Sequence, residues 1–97
     1  MQIEGFDWDE GNITKNLAKH SVSVKECEEV FLNIPWVIYL DQKHSIKEKR
    51  YVILGKTNQG RQLQIVFTIR TVIIRVISAR NQSRKERRLY EKETEKN

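Results

Sequence analysis

Two arginines, Arg61 and Arg80, flank the two most strongly β-like segments of the sequence. A guanidinium group is planar and always charged, and its N–H groups can hold two oxygens of one phosphate. If the segments form a hairpin whose two-residue loop begins at Arg70, Arg61 lies directly opposite Arg80. Like charges repel across a sheet, so this register predicts an anion between them, and a phosphate would serve. The spacing is equally compatible with two solvent-exposed arginines at a strand end.

Two other residues could transfer protons. His20 is a candidate because an imidazole can exchange protons near neutral pH, and Glu48 is a possible acid or base at the start of a strand. Each also has an ordinary interpretation, as a helix-end histidine and as an exposed carboxylate. The single cysteine, Cys27, and the two histidines lack metal-ligand spacing, so neither a metal nor a cofactor is expected.

The net charge of +5 is unevenly distributed along the chain. Residues 1–48 contain 5 Lys and Arg against 9 Asp and Glu, whereas residues 49–97 contain 13 against 4. Such a basic half indicates an anionic partner, most commonly a nucleic acid, although an ordinary basic surface is the alternative. No apolar run approaches the ~20 residues of a membrane span, and the start lacks the pattern of a secretion signal. We therefore expect a cytoplasmic protein with no membrane partner.

The helices that would position these residues follow from apolar periodicity and capping signals. A short amphipathic helix is predicted at 9–20. A second should begin at Ser23, which forms capping-box spacing with Glu26 and places Cys27 in the core. The last helix should start near Arg84 and be anchored by Leu89 and Tyr90.

The strands follow from β-branched and aromatic runs separated by turn residues. They are predicted at 36–40, 50–56, 61–69 and 72–79. The expected fold class is α+β, with two N-terminal helices, an antiparallel β-sheet meander and a C-terminal helix. A chain of 97 residues fits one domain, 1–97, and we expect its C-terminal end to be frayed.

Several short motifs occur in an order and spacing that resemble the BrnT family of bacterial toxins. The motifs are WD at 8–9, N-x-x-KH at 16–20, ISAR at 77–80 and ER-x-x-Y at 86–90. The resemblance extends from residue 6 to residue 90. The chain departs from the family pattern at Ser21, where glycine is usual after the histidine, and at Thr71 and Val72, where the hairpin tip usually contains glycine.

The resemblance implies a RelE-like ribonuclease that cuts RNA without a metal and inhibits translation and growth. It also implies neutralisation by a cognate BrnA-like antitoxin with a ribbon-helix-helix part, through which operator DNA would be contacted. Guanidinium groups would then stabilise the charge that grows on the scissile phosphate. The candidate catalytic residues are Arg61, Arg80, His20 and Glu48, and the candidate RNA-binding residues are Lys19, Arg50, Arg70 and Arg84.

A second hypothesis uses the same basic face without catalysis. The chain could be a non-enzymatic RNA-binding or partner-binding module whose arginines hold phosphates passively. The sequence contains no unmistakable general base, so it does not separate this hypothesis from the ribonuclease.

Overall fold

The computed structural model describes residues 3–44 and 47–95, and it has the α+β fold that the sequence predicts. A 3₁₀ turn (Gln42–His44) follows the second strand. The last two residues of the C-terminal end, which we expect to be frayed, lie outside the described ranges. No helix in these ranges is both long and apolar enough to cross a membrane. The elements are β1 (Gly5–Asp7), α1 (Glu10–His20), α2 (Val24–Leu32), β2 (Val37–Leu40), β3 (Tyr51–Lys56), β4 (Gln62–Arg70), β5 (Ile73–Asn81) and α3 (Arg84–Thr94).

The helix ends show why the helices start and stop where they do. Asp9 caps α1 by accepting a hydrogen bond from the Gly11 backbone N–H at 2.8 Å. The predicted capping box is present at Ser23 for α2, and a second capping box, at Ser83, begins α3. The α1 helix ends at Ser21, whose φ of 54° is the left-handed conformation that glycine usually supplies at this position.

The five strands form one sheet in the order β1-β5-β4-β3-β2. Strands β2 to β5 make the predicted antiparallel meander. Strand β1 pairs in parallel with β5 at the sheet edge, which the sequence did not predict because three residues are too few to show a period-two pattern. The sheet is therefore mixed.

One face of the sheet is covered by α1 and α2, and the main core lies between these helices and the sheet. Phe31 of α2 packs edge-on against Phe67 of β4, with ring centroids 4.9 Å apart. Cys27 is 1% exposed, as predicted for a core residue. Burial raises the pKa of its thiol to about 12, so Cys27 stays protonated at neutral pH.

The other face is covered only in part, by α3. Tyr90 is buried against Val52 and Leu54, and its hydroxyl donates to the Pro35 carbonyl at 3.2 Å. Leu89 is 39% exposed, so Tyr90 is the more deeply buried of the two predicted anchors. Because α3 contacts mainly β2 and β3, the β4–β5 part of this face lies open.

The predicted register of the β4–β5 hairpin is wrong at its tip. The two loop residues are Thr71 and Val72, so Arg70 pairs with Ile73. Thr71 has a φ of 60°. A positive φ at the first residue of a two-residue loop belongs to a tight primed turn, for which the sequence lacks the usual glycine.

A β-bulge at Ile77 changes the register again farther from the tip. Phe67 pairs with Val76, whereas Val66 pairs with Ser78, so Ile77 is an extra residue in β5. Beyond the bulge Arg80 pairs with Gln64 and not with Arg61. A one-residue shift moves side chains to the opposite face of a sheet, so the bulge places Arg80 on the face that carries α3.

The strained hairpin tip gives the first prediction. Thr71→Gly should raise the free energy of unfolding by about 1 kcal/mol, because glycine adopts a positive φ without the steric cost that a β-branched residue bears. Urea unfolding followed by circular dichroism measures the change. The same substitution at the exposed helical Thr14 should destabilise the protein; a loss of stability in Thr71→Gly would show that the tip is not strained.

Candidate functional site

The open part of the sheet contains a shallow cleft beside α3. Two cavities of about 360 and 300 Å³ adjoin there and share His44, Arg50 and Ile77. We call their union the sheet-face cleft. Its lining residues are Asp41, His44, Lys47, Glu48, Arg50, Gln64, Val66, Ile77, Ser78 and Arg80.

The connection between β2 and β3 supplies one wall of the cleft. The Asp41 backbone N–H donates to the Arg50 carbonyl at 2.8 Å, which continues the β2–β3 pairing and closes the loop. The Asp41 carboxylate faces the imidazole of His44, with Nδ1 3.1 Å from Oδ2. Among the described residues no three His, Cys, Asp or Glu side chains are grouped as a metal site requires. The wall thus presents a carboxylate–imidazole pair.

Glu48 and Arg70 form an exposed ion pair at the rim of this wall. Glu48 Oε2 lies 3.1 Å from Arg70 Nε. The hydrogen bond from Arg70 lowers the pKa of the Glu48 carboxyl, and the charges of Arg70, Arg75 and Arg50 lower it further. Glu48 is therefore a carboxylate at neutral pH, so it can accept a proton but has none to donate.

Arg80 enters the cleft from β5 in a fixed orientation. Its Nη1 and Nη2 donate to the two carboxylate oxygens of Glu86 at 2.8 and 3.0 Å, and Nη1 also donates to the Asn81 carbonyl at 3.0 Å. These bonds use three of the five guanidinium N–H groups. The Arg80 side chain is 39% exposed, so the other two can face a ligand.

Arg61 lies in separate surroundings, on the side of the sheet that carries α1 and α2. It donates to the carbonyls of His20 and Ser21, each at 2.8 Å, and to the Glu26 carboxylate at 3.1 Å. These bonds satisfy backbone carbonyl groups at the C-terminal end of α1, which arginine side chains often do. The predicted Arg61–Arg80 clamp is not formed, because the bulge in β5 places the two guanidinium groups on opposite faces.

The predicted site residues thus divide into two groups. Glu48, Arg50 and Arg80 line the sheet-face cleft, and Arg70 reaches its rim through Glu48. Arg84 is exposed at the start of α3. The other three, Lys19, His20 and Arg61, lie at or against the C-terminal end of α1.

The sequence interpretation missed Asp41 and His44 as a pair. The segment lies between the predicted strands at 36–40 and 50–56, and in it an acidic residue stands three positions before a histidine. That spacing allows contact when the chain makes a single helical turn, as it does at Gln42–His44. Gln64 and Ser78 were also missed, and Ser78 reaches this cleft only because of the bulge in β5.

A second depression lies on the other side of α3 and is apolar. It has a volume of about 490 Å³, and its lining residues are Trp36, Val37, Tyr39, Leu89 and Glu93. Burial raises the pKa of the Tyr39 phenol, and the nearby charges of Glu86, Arg80 and Asp41 also act on it. This groove is larger than either cavity of the sheet-face cleft, but with one carboxylate and no arginine or histidine in its lining it is less suited to anionic ligands.

Comparisons with known proteins agree with the fold and the motifs. A family model described as "Ribonuclease toxin, BrnT, of type II toxin-antitoxin system" matches residues 8–86, which include the whole sheet-face cleft. The chain is similar in structure to the Brucella abortus ribonuclease toxin BrnT, solved at 1.1 Å, with a TM-score of 0.64 and 24% identity. That match covers 82% of this chain and 97% of the other, and at this identity it shows the fold. The curated proteins contain no significant match.

The two arginine–glutamate pairs predict how stability depends on pH. Burial alone would raise the pKa values of Glu26 and Glu86, but hydrogen bonds from backbone N–H groups and from Arg61 and Arg80 lower both below 4.5. A lowered folded-state pKa stabilises the protein above the unfolded value and loses that contribution as pH falls through the folded value. We therefore expect the free energy of unfolding to decrease below about pH 4.5.

Urea unfolding between pH 3 and pH 7 measures this dependence. Glu86→Gln should lower the free energy of unfolding at pH 7 by roughly 1 kcal/mol, a modest amount because its charge-assisted bonds are partly exposed. It should also make the loss of stability below pH 4.5 less steep. Glu26→Gln should act in the same direction. Glu95→Gln is an exposed control. If stability falls below pH 4.5 as steeply in both variants as in this control, the two arginine–glutamate pairs do not cause the fall.

Proposed function

Because the chain belongs to the BrnT family of ribonuclease toxins of type II toxin-antitoxin systems, we propose that it cleaves RNA in the sheet-face cleft without a metal ion. The observation that carries the proposal is that Arg50, Arg80 and His44 line one open cleft. Two cations can hold a phosphate, and an imidazole beside it can take part in proton transfer. The opposite face is covered by α1 and α2, and the cavities of about 370 and 310 Å³ beside α2 have a lysine but no arginine or histidine among their lining residues.

The chemistry of the proposed reaction requires positive charge at the phosphorus. When a ribose 2′-hydroxyl attacks the adjacent phosphodiester, negative charge grows on the non-bridging oxygens. Donors already oriented toward those oxygens stabilise the transition state without reorganisation. The Arg80 guanidinium is oriented in advance by Glu86, and Arg50 is tied by its carbonyl to the hairpin base. These arginines would supply the charge that a metal ion supplies in other nucleases.

The basic residues other than Arg50, Arg80 and His44 would have different roles. Lys47, Arg70 and Arg84 would hold the RNA backbone along the rim of the cleft. Arg61 would act on stability, because its bonds join β4 to the end of α1. The proposal does not use Lys19 or His20, since RNA bound in the cleft would lie on the other side of the sheet.

The partner follows from the family. A toxin of a type II system has an antitoxin. We propose a BrnA-like antitoxin with a ribbon-helix-helix part, which would contact operator DNA and cover the basic cleft with an acidic or apolar segment. Toxin and antitoxin would meet in the cytoplasm, where the RNA substrate is made.

Incubation of the purified chain with a defined RNA in EDTA tests the proposed activity. We expect new fragments that carry 5′-hydroxyl ends, which attack by the 2′-hydroxyl produces. Intact RNA with salt-sensitive binding would instead support the passive RNA-binding module. Cleavage that appears only when Mg²⁺ or Mn²⁺ is added would contradict the metal-independent reaction.

Substitutions of Arg80 test its place in the site. Arg80→Ala should lower the cleavage rate by roughly 10²–10³-fold, as removal of one preorganised donor does in other enzymes. Arg80→Lys should recover only part of the rate, because a point charge replaces a planar fork. Single-turnover cleavage of the same RNA measures both variants.

Two other arginines serve as controls for these measurements. Arg61→Ala should lower the free energy of unfolding while its folded fraction cleaves RNA at the normal rate. Arg88→Ala removes an exposed arginine of α3 and should change neither property. A folded Arg80→Ala protein with full activity, or a folded Arg61→Ala protein with none, would place the reaction outside the sheet-face cleft.

A further inference from the structure

The contact between Asp41 and His44 shows which ring nitrogen faces the carboxylate. His44 Nδ1 lies 3.1 and 3.3 Å from the two carboxylate oxygens of Asp41. An ionised carboxylate only accepts hydrogen bonds, so the proton between the two groups belongs to Nδ1. In the neutral imidazole the other nitrogen, Nε2, is then the proton acceptor.

The backbone holds this pair at the cleft. Asp41 directly follows β2, and its N–H bond to the Arg50 carbonyl continues the sheet pairing. Its carboxylate is therefore fixed to the rigid part of the hairpin, while the 3₁₀ turn brings His44 back over it. The His44 side chain is 58% exposed and lines both cavities of the cleft, so a bound RNA can reach it.

The other candidate proton acceptors are less suited to the reaction. Glu48 is bonded to Arg70, and its lowered pKa makes the carboxylate a weak base. The raised pKa of Tyr39 keeps the phenol protonated at neutral pH. His20 lies at the end of α1, on the other side of the sheet. Among the described residues that line the cleft, His44 is the only imidazole, and a carboxylate orients its ring.

We propose that His44 is the general base of the cleavage reaction and that Asp41 is its positioning residue. This inference rests on the proposed ribonuclease function. His44 Nε2 takes the proton of the ribose 2′-hydroxyl, O2′ forms a bond to phosphorus, and the bond from phosphorus to O5′ breaks. The leaving O5′ takes a proton from water, and the imidazolium returns its proton to solvent. The products are a 2′,3′-cyclic phosphate and a 5′-hydroxyl end, with no net consumption of water.

The test compares two RNA oligonucleotides that share one cleavage site mapped with the wild-type protein. One is ordinary RNA, and in the other a sulfur atom replaces the bridging O5′ at that site. A thiolate leaves without protonation, so the sulfur substrate removes the need for a general acid but not for a general base. His44→Ala should lose roughly 10²–10⁴-fold in rate on ordinary RNA. It should lose a similar factor on the sulfur substrate.

Two further measurements separate chemistry from structure. Added imidazole should partly restore cleavage by His44→Ala, which a merely structural role would not allow. Asp41→Asn, which keeps His44 but weakens its orientation, should lower kcat by about 10-fold with little change in KM. Lys43→Ala, an exposed neighbour on the same turn, should cleave both substrates at the wild-type rate.

The outcomes distinguish this inference from the function on which it rests. Full activity in a folded His44→Ala protein would overturn this inference but not the ribonuclease function. A loss of rate that disappears on the sulfur substrate would also overturn it, because His44 would then be the general acid. Failure of the wild-type protein to cut ordinary RNA under any condition would overturn the proposed ribonuclease function, and the base assignment with it.

Discussion

The extra residue that β5 carries at Ile77 decides which side of the sheet Arg80 faces. Residues directly opposite each other in an antiparallel pair point to the same face. Continued without interruption from the hairpin tip, the pairing would set Arg80 opposite Leu63, in the core under α1 and α2. The bulge sets it opposite Gln64, so the guanidinium reaches the open face, where Glu86 at the start of α3 binds it. The sheet-face cleft depends on this irregularity.

The bulge at Ile77 also explains why Arg61 and Arg80, which lie near the same end of the β4–β5 pair, have different roles. Arg61 precedes β4 and closes the C-terminal end of α1 through backbone carbonyls, which fixes a helix against the sheet. Arg80 is held by a carboxylate on the opposite face and keeps N–H groups available. Arg61 uses its guanidinium to join the end of α1 to the sheet and so contributes to the fold, whereas Arg80 lies at a cleft with two N–H groups left for an anionic ligand.

Much of the fold could be predicted from the sequence, because its signals are local. The capping boxes at Ser23 and Ser83 mark helix starts, and β-branched runs mark the four long strands. The register could not be predicted, since the bulge at Ile77 leaves no trace in the sequence pattern of β5, and the turn at Thr71 lacks glycine. The site was therefore predicted only in part. Arg80 at the end of β5 was identified, but its pairing with Gln64 was not, and neither was the place of His44 in the cleft.

The most direct test of this account is a two-dimensional NMR titration of the arginine Nε–Hε resonances. The ligand is an RNA oligonucleotide that carries 2′-deoxyribose at its cleavage site, so that it binds without being cut. The account predicts that the resonances of Arg80 and Arg50 shift as the RNA is added, while that of Arg61 stays in place. A shift of Arg61 with no change at Arg80 would contradict it, because the RNA would then occupy the helix-covered side of the sheet.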